Sequence, residues 1–148
     1  MTSRLLFRIA SVIMFLHALG HTMGALGWKK TTDATKQSVI DQMQNHNFPF
    51  MGANHSLADA MDGYGFIGIF DLALVAFLLW VIPTTQNGNA SAGKWIAIAL
   101  GLKLIISAVL EYVFFFPLAA MMTAMAGVLT LYGYFTLSRN SENNSAVG

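Results

Sequence analysis

The chain has 148 residues, 55 % of them apolar and 10 % charged, with a formal net charge of +1 and no cysteine. A soluble domain carries about 25 % charged residues, so this composition, with a mean hydropathy of +0.57, belongs in a bilayer. It excludes a nucleic-acid binder, which needs a basic footprint, a largely disordered chain, and all cysteine chemistry, from disulfides to Cys-ligated zinc.

About 30 Å of hydrocarbon takes about 20 helical residues. Four stretches are long and apolar enough, at residues 5–28, 64–83, 95–116 and 118–137. Backbone polar groups in lipid must be satisfied within the segment, so each is expected to be a helix. The expected fold is all-α, an integral membrane four-helix bundle. A single four-span domain covers 1–138, with a partly helical extramembrane loop at 29–63 and a disordered polar tail at 139–148.

The first span resembles a signal peptide at its start. Arg8 interrupts the apolar run and no A-x-A site precedes Trp28, so the span is expected to be retained. Gly20 and Gly24 form a small-x-x-x-small pair, suited to close helix approach. His17 and His21 are four apart and share one face.

In the long loop, Val39, Ile40 and Met43 recur at helical spacing, which predicts a short helix over Asp33–Asn45. The apolar Phe48-Pro-Phe-Met51 segment is expected to dip into the membrane interface or cap the bundle. Ser56-x-x-Asp59 resembles a capping box and predicts the start of a further short helix. Gly63-Tyr-Gly65-Phe-Ile-Gly68 is a literal G-x-G-x-x-G, but it opens a membrane helix without the strand that a dinucleotide site requires. Its glycines are expected to let helices approach.

Pro83 closes the second span, and the Asn/Ser/Gly-rich segment 84–93 is expected to be flexible. In the third span Lys103, Ser107 and Glu111 lie on one stripe. Pro117 leaves almost no connection to the fourth span, which predicts a tight hairpin. Ala120, Ala124 and Gly127 make a small-residue stripe on the fourth.

An ionisable side chain at mid-membrane costs about 2.5–3.5 kcal/mol, so such residues are functional candidates. The candidates here are His21, Asp71, Glu111, His17 and Lys103, with Asp59 in the loop. Helix rise puts His21, Asp71 and Glu111 about 8–11 Å below the surface opposite the termini, and His17 and Lys103 about 17–20 Å down. Lys103 offsets one carboxylate, which leaves the other to be neutralised by a proton or a protonated histidine. The same residues suit three roles: a polar network that locks the helices, a membrane-embedded enzyme, or a proton-linked or small-molecule carrier. In the latter two, Asp59 and Phe48–Met51 would form a lid.

His17, His21 and Glu111 are the residues that could hold zinc or iron, with His46, His55, Asp59 and Asp62 as further donors. No H-E-x-x-H or E-x-x-H pattern is present, so no metal or other cofactor is expected. The expected partners are the lipid bilayer and a second copy or another membrane protein packed on the Gly/Ala stripes; nucleic acid is not among them. Arg4, Arg8, Lys94 and Arg139 on the terminal side outnumber Lys29, Lys30 and Lys36 on the other, which predicts cytoplasmic termini.

Gly20-His21, followed by Met51-Gly52 and then Ser56-Leu57-x-Asp59-x-x-x-Gly63-Tyr64-Gly65-Phe66, resembles a family of small uncharacterised bacterial four-helix membrane proteins. That family carries a Met-Gly…Ser-x-x-Asp…Gly-aromatic-Gly segment before the second span. Ala60 and Met61 depart from its pattern, which has aromatics there. The resemblance implies a bacterial inner-membrane location and the same fold, and no activity. In size and span number the chain is also similar to DoxX-like membrane proteins, a likeness of architecture alone.

Overall fold

The computed structural model describes residues 2–87 and 90–145. In chain order these form α1 (Ser3–Gly27), α2 (Ala34–Asn45), β1 (Asn47–Phe50), β2 (Ala53–Ser56), α3 (Leu57–Val81), a 3₁₀ turn (Ile82–Asn87), α4 (Ala90–Phe114) and α5 (Pro117–Ser145). Four helical stretches are long and apolar enough to cross a membrane: Ser3–Gly27, Leu57–Thr84, Gly93–Phe114 and Pro117–Thr136. The all-α architecture is as expected. Among the membrane-crossing stretches the largest displaced boundary is the start of the second, at Leu57 rather than Tyr64. The tip of the second loop at residues 88–89 and residues 146–148 of the polar tail lie outside the described residues.

The chain divides into two compact units, Met1–His17 with Leu72–Gly148, and Ala18–Asp71. The first unit is a bundle of four helical segments: the start of α1, the end of α3, α4 and α5. On α4 the buried residues Ala97, Gly101, Leu104 and Ala108 recur every three or four positions, the stripe one helix presents to its neighbours. The buried face of α5 consists of small residues, Ala119, Ala120, Thr123, Ala126, Gly127, Thr130 and Gly133. Lipid tails are as apolar as leucine, so helices in a bilayer associate through close van der Waals contact, and small residues allow it.

Three glycines measure that closeness. A Cβ on Gly101 would lie 2.5 Å from Leu131 Cδ2, one on Gly127 would lie 3.1 Å from Leu104 Cβ, and one on Gly133 would lie 3.1 Å from the Phe7 ring. Across α1 and α3, Ser11 Oγ donates to the Ala76 carbonyl at 2.6 Å. The α4–α5 connection is as short as expected, with Pro117 at the first position of α5. There the N–H that proline lacks would have no intrahelical partner. The end of α5 differs from expectation: the helix runs to Ser145, through the start of the segment expected to be disordered. Once a helix is nucleated, each further residue adds a hydrogen bond for one residue fixed.

In the second unit α2 starts as its sequence predicts. Asp33 is the N-cap, accepting from Thr35 N at 2.8 Å and Lys36 N at 3.1 Å. Of its expected apolar face, Ile40 is buried, Met43 half-buried and Val39 exposed.

The β1–β2 hairpin was not legible in the sequence. Phe48 pairs with His55 and Phe50 with Ala53 around a two-residue turn in which both Met51 (φ 47) and Gly52 (φ 86) have positive φ. This is the turn whose twist matches antiparallel strands, and it favours Asn-Gly. Phe48, Phe50 and Met51 are exposed. Met51 holds a left-handed conformation that costs a non-glycine residue about 1 kcal/mol. Met51→Asn is therefore expected to stabilise the hairpin by about 0.5 kcal/mol, read as slower hydrogen exchange at the strand amides.

The second helix predicted in the loop merges with the second span. Ser56 Oγ accepts from Asp59 N at 3.1 Å, while Asp59 Oδ2 accepts from Ser56 N at 2.9 Å. This reciprocal capping box starts α3, which continues helical through Gly63 into the span.

Candidate functional site

The six candidates divide between the units. His17, Lys103 and Glu111 belong to the first; His21, Asp59 and Asp71 belong to the second.

His17 is buried on α1, and its Nδ1 shares a hydrogen bond of 3.0 Å with Thr123 Oγ1 on α5. That bond and the seat of Phe7 on Gly133 set an antiparallel register between α1 and α5. The contacts of Gly101 with Leu131 and of Leu104 with Gly127 set the register of α4 on α5. On this register Glu111 lies about 3 Å along the bundle axis from the level of His17, and Lys103 about 9 Å from it. The expected depth pairing of His17 with Lys103 is thereby corrected. Helix rise counted from separate span ends misses the offsets that packing introduces.

Glu111, half-buried, lies one turn beyond Ala108 on α4. Its Oε2 is buried and has no hydrogen-bond partner among the described residues. An unsatisfied buried acceptor costs about 1–3 kcal/mol, and more when charged. His17 is an anchoring contact between helices, whereas Glu111 holds an acceptor open.

In the second unit, His21 lies across the start of α3. Its Nε2 donates to the Gly65 carbonyl at 3.2 Å, and a Cβ on Gly68 would come within 2.5 Å of the same nitrogen. Gly65 also faces Ala25, where a Cβ would stand 3.0 Å from the alanine Cβ. The G-x-G-x-x-G segment is thus a cradle for the His21 imidazole and the α1 backbone. Gly20 and Gly24, expected to pack closely, have nothing within 4 Å of a Cβ.

The Asp59 carboxylate is engaged by Ser56, and His55 Nδ1 stands 3.9 Å from it. Asp71 is on the exposed side of α3. His46 Nδ1 donates to the Gln42 carbonyl at 3.0 Å. Among the described residues no group of three His, Asp or Glu side chains is placed to hold a metal ion.

Two polar contacts escaped the sequence reading. Asp62, named from the sequence only as a further metal donor, accepts from Trp28 Nε1 at 2.9 Å and from Lys29 Nζ at 2.5 Å. This ties the end of α1 to the start of α3. Arg8, used above for orientation and against a signal peptide, lays its guanidinium 3.5 Å from the centre of the Trp80 ring, and its Nη1 is buried without an acceptor among the described residues. An arginine inside an apolar span was the available signal.

Four helices able to cross a membrane, on an all-α chain, define the class: a multi-pass helical membrane protein. Compared with known proteins, the chain matches no family model, no curated protein and no solved structure.

Proposed function

We propose that this chain is a small multi-pass protein of a bacterial inner membrane, with cytoplasmic termini, that acts as a proton-linked carrier through Glu111. The bacterial setting follows the resemblance carried by Gly20-His21 and the Met51-Gly52 to Gly65-Phe66 segment. The orientation follows Arg4, Arg8, Lys94 and Arg139 against Lys29, Lys30 and Lys36.

One observation carries the role: Glu111 Oε2 is buried, one turn beyond Ala108 on α4, with no partner among the described residues. A side chain retained only to lock helices would have its polar atoms satisfied, as His17 has with Thr123. The open oxygen of Glu111 instead receives a proton, or an N–H or O–H of a carried molecule, near the level of His17. Gly20 and Gly24 are the part of the small-residue pattern left for a second copy or a partner helix, because Gly127 is occupied by α4.

A membrane-soluble carbodiimide, which reacts with the acid form of a carboxyl, tests this in the reconstituted protein. Glu111 should be the labelled residue by mass spectrometry, at a rate that falls as pH rises, and Glu111→Gln should abolish labelling. Absence of labelling at every pH at which the protein stays folded would sink the proposal. A second measurement separates the structural role: Glu111→Leu is expected to raise unfolding resistance in detergent by about 1 kcal/mol, whereas a helix-locking carboxyl would lower it.

A further inference from the structure

Trp80, with the Arg8 guanidinium over its ring, stands at one end of an apolar groove of about 460 Å³ that runs between α1 and α3 in the first unit. Val12 and Phe15 form one wall, and Ala73, Phe77 and Trp80 the other. Seven residues separate Arg8 from Phe15 and Ala73 from Trp80, so the groove extends about 10 Å along the helices. Val12, Phe15, Phe77 and Trp80 are exposed, as the walls of a groove open to acyl chains would be.

Arginine stays charged in any protein setting, and here the charge sits inside an apolar span. The guanidinium lies over the Trp80 face, and Nη1 has no acceptor among the described residues. Among the described residues Lys29 pairs with Asp62 and His55 stands near Asp59, and no carboxylate is paired with Arg8. Arg4 is exposed one turn nearer the start of α1.

We propose that this groove seats one anionic phospholipid, its phosphate on Arg8 with Arg4 above and the first part of one acyl chain between Phe15 and Phe77. The guanidinium gains the bidentate acceptor for which its geometry is suited. The chain covers the apolar walls, and Trp80 sits at the boundary between headgroup and tail where indole rings concentrate. A zwitterionic lipid offers the same tails with a compensated headgroup, so the charge decides between them.

Native mass spectrometry of the full chain, exchanged into micelles with equal phosphatidylglycerol and phosphatidylcholine, tests this. The unmodified protein should retain phosphatidylglycerol by about fivefold over phosphatidylcholine, as expected for one basic side chain at the membrane surface. Arg8→Gln should bring the ratio close to parity. Ala73→Phe, which fills the groove and leaves Arg8 in place, should lower retention of both lipids. Inorganic phosphate should leave the ratio unchanged. Equal retention by the unmodified protein, an undiminished preference in Arg8→Gln, undiminished retention of both lipids in Ala73→Phe, or displacement by phosphate would each overturn the proposal. Should Arg8→Gln fail to fold, Ala73→Phe and the phosphate competition decide it.

Discussion

Gly127→Leu is expected to lower the resistance of the purified protein to unfolding by about 3 kcal/mol, the upper end of what forcing extra methylenes into a packed core produces. A Cβ on Gly127 would already stand 2.9 Å from Ile105 Cδ1 and 3.1 Å from Leu104 Cβ. The isoleucine end can rotate away, but the leucine Cβ moves only with the α4 backbone. A full leucine therefore pushes α5 off α4 and loses contacts along the whole small-residue face. Gly127→Ala should show a much smaller loss, because the gain in helix propensity, about 1 kcal/mol, opposes the crowding. Denaturant unfolding in detergent micelles reads both. Stability of Gly127→Leu within about 0.5 kcal/mol of the unmodified protein, the ordinary range for surface substitutions, would show that the α4–α5 approach is looser than described.

Gly68→Ala is expected to be destabilising by about 1–2 kcal/mol when His21 is present and neutral or stabilising when it is absent. The new Cβ would come within 2.5 Å of His21 Nε2 and 3.1 Å of Cε1, so the ring must swing away and release the Gly65 carbonyl. In a His21→Ala background the crowding disappears, and only the helix-propensity gain of alanine remains. The sign change is the measurement that matters, because a simple loss of helix packing would give the same cost in both backgrounds. Equal effects of Gly68→Ala with and without His21 would mean that the histidine does not occupy the glycine cradle.

Much of the fold could be read from hydropathy alone. Helix rise and bilayer thickness leave little freedom in placing four apolar stretches, and Asp33 and Pro117 mark their helix starts by local chemistry. The Ser56 and Asp59 capping box was legible too, but not the fact that the helix it starts continues unbroken into the second span. That depends on glycines at positions 63 and 65 being held helical, which propensity disfavours and packing of Gly65 on Ala25 favours. The hairpin escaped because Met51-Gly52 lacks the usual turn residues and Pro49 weakens the strand signal.

The candidate site was legible as a set of residue types and not as an arrangement. An ionisable residue in a span is visible in any sequence, and His17, His21 and Glu111 were found that way. Whether such a residue is satisfied depends on what neighbouring helices offer at its level. His17 finds Thr123 and His21 finds the Gly65 carbonyl, while Glu111 Oε2 and Arg8 Nη1 find no acceptor or donor among the described residues.

The apolar composition, the four spans and the positions of buried charge belong to the sequence itself, because bilayer thickness and the cost of burying charge act on each helix alone. The packed tertiary structure alone decides which polar groups pair and which glycines admit a neighbour. Those outcomes depend on the register between helices, a property of pairs that no single segment encodes.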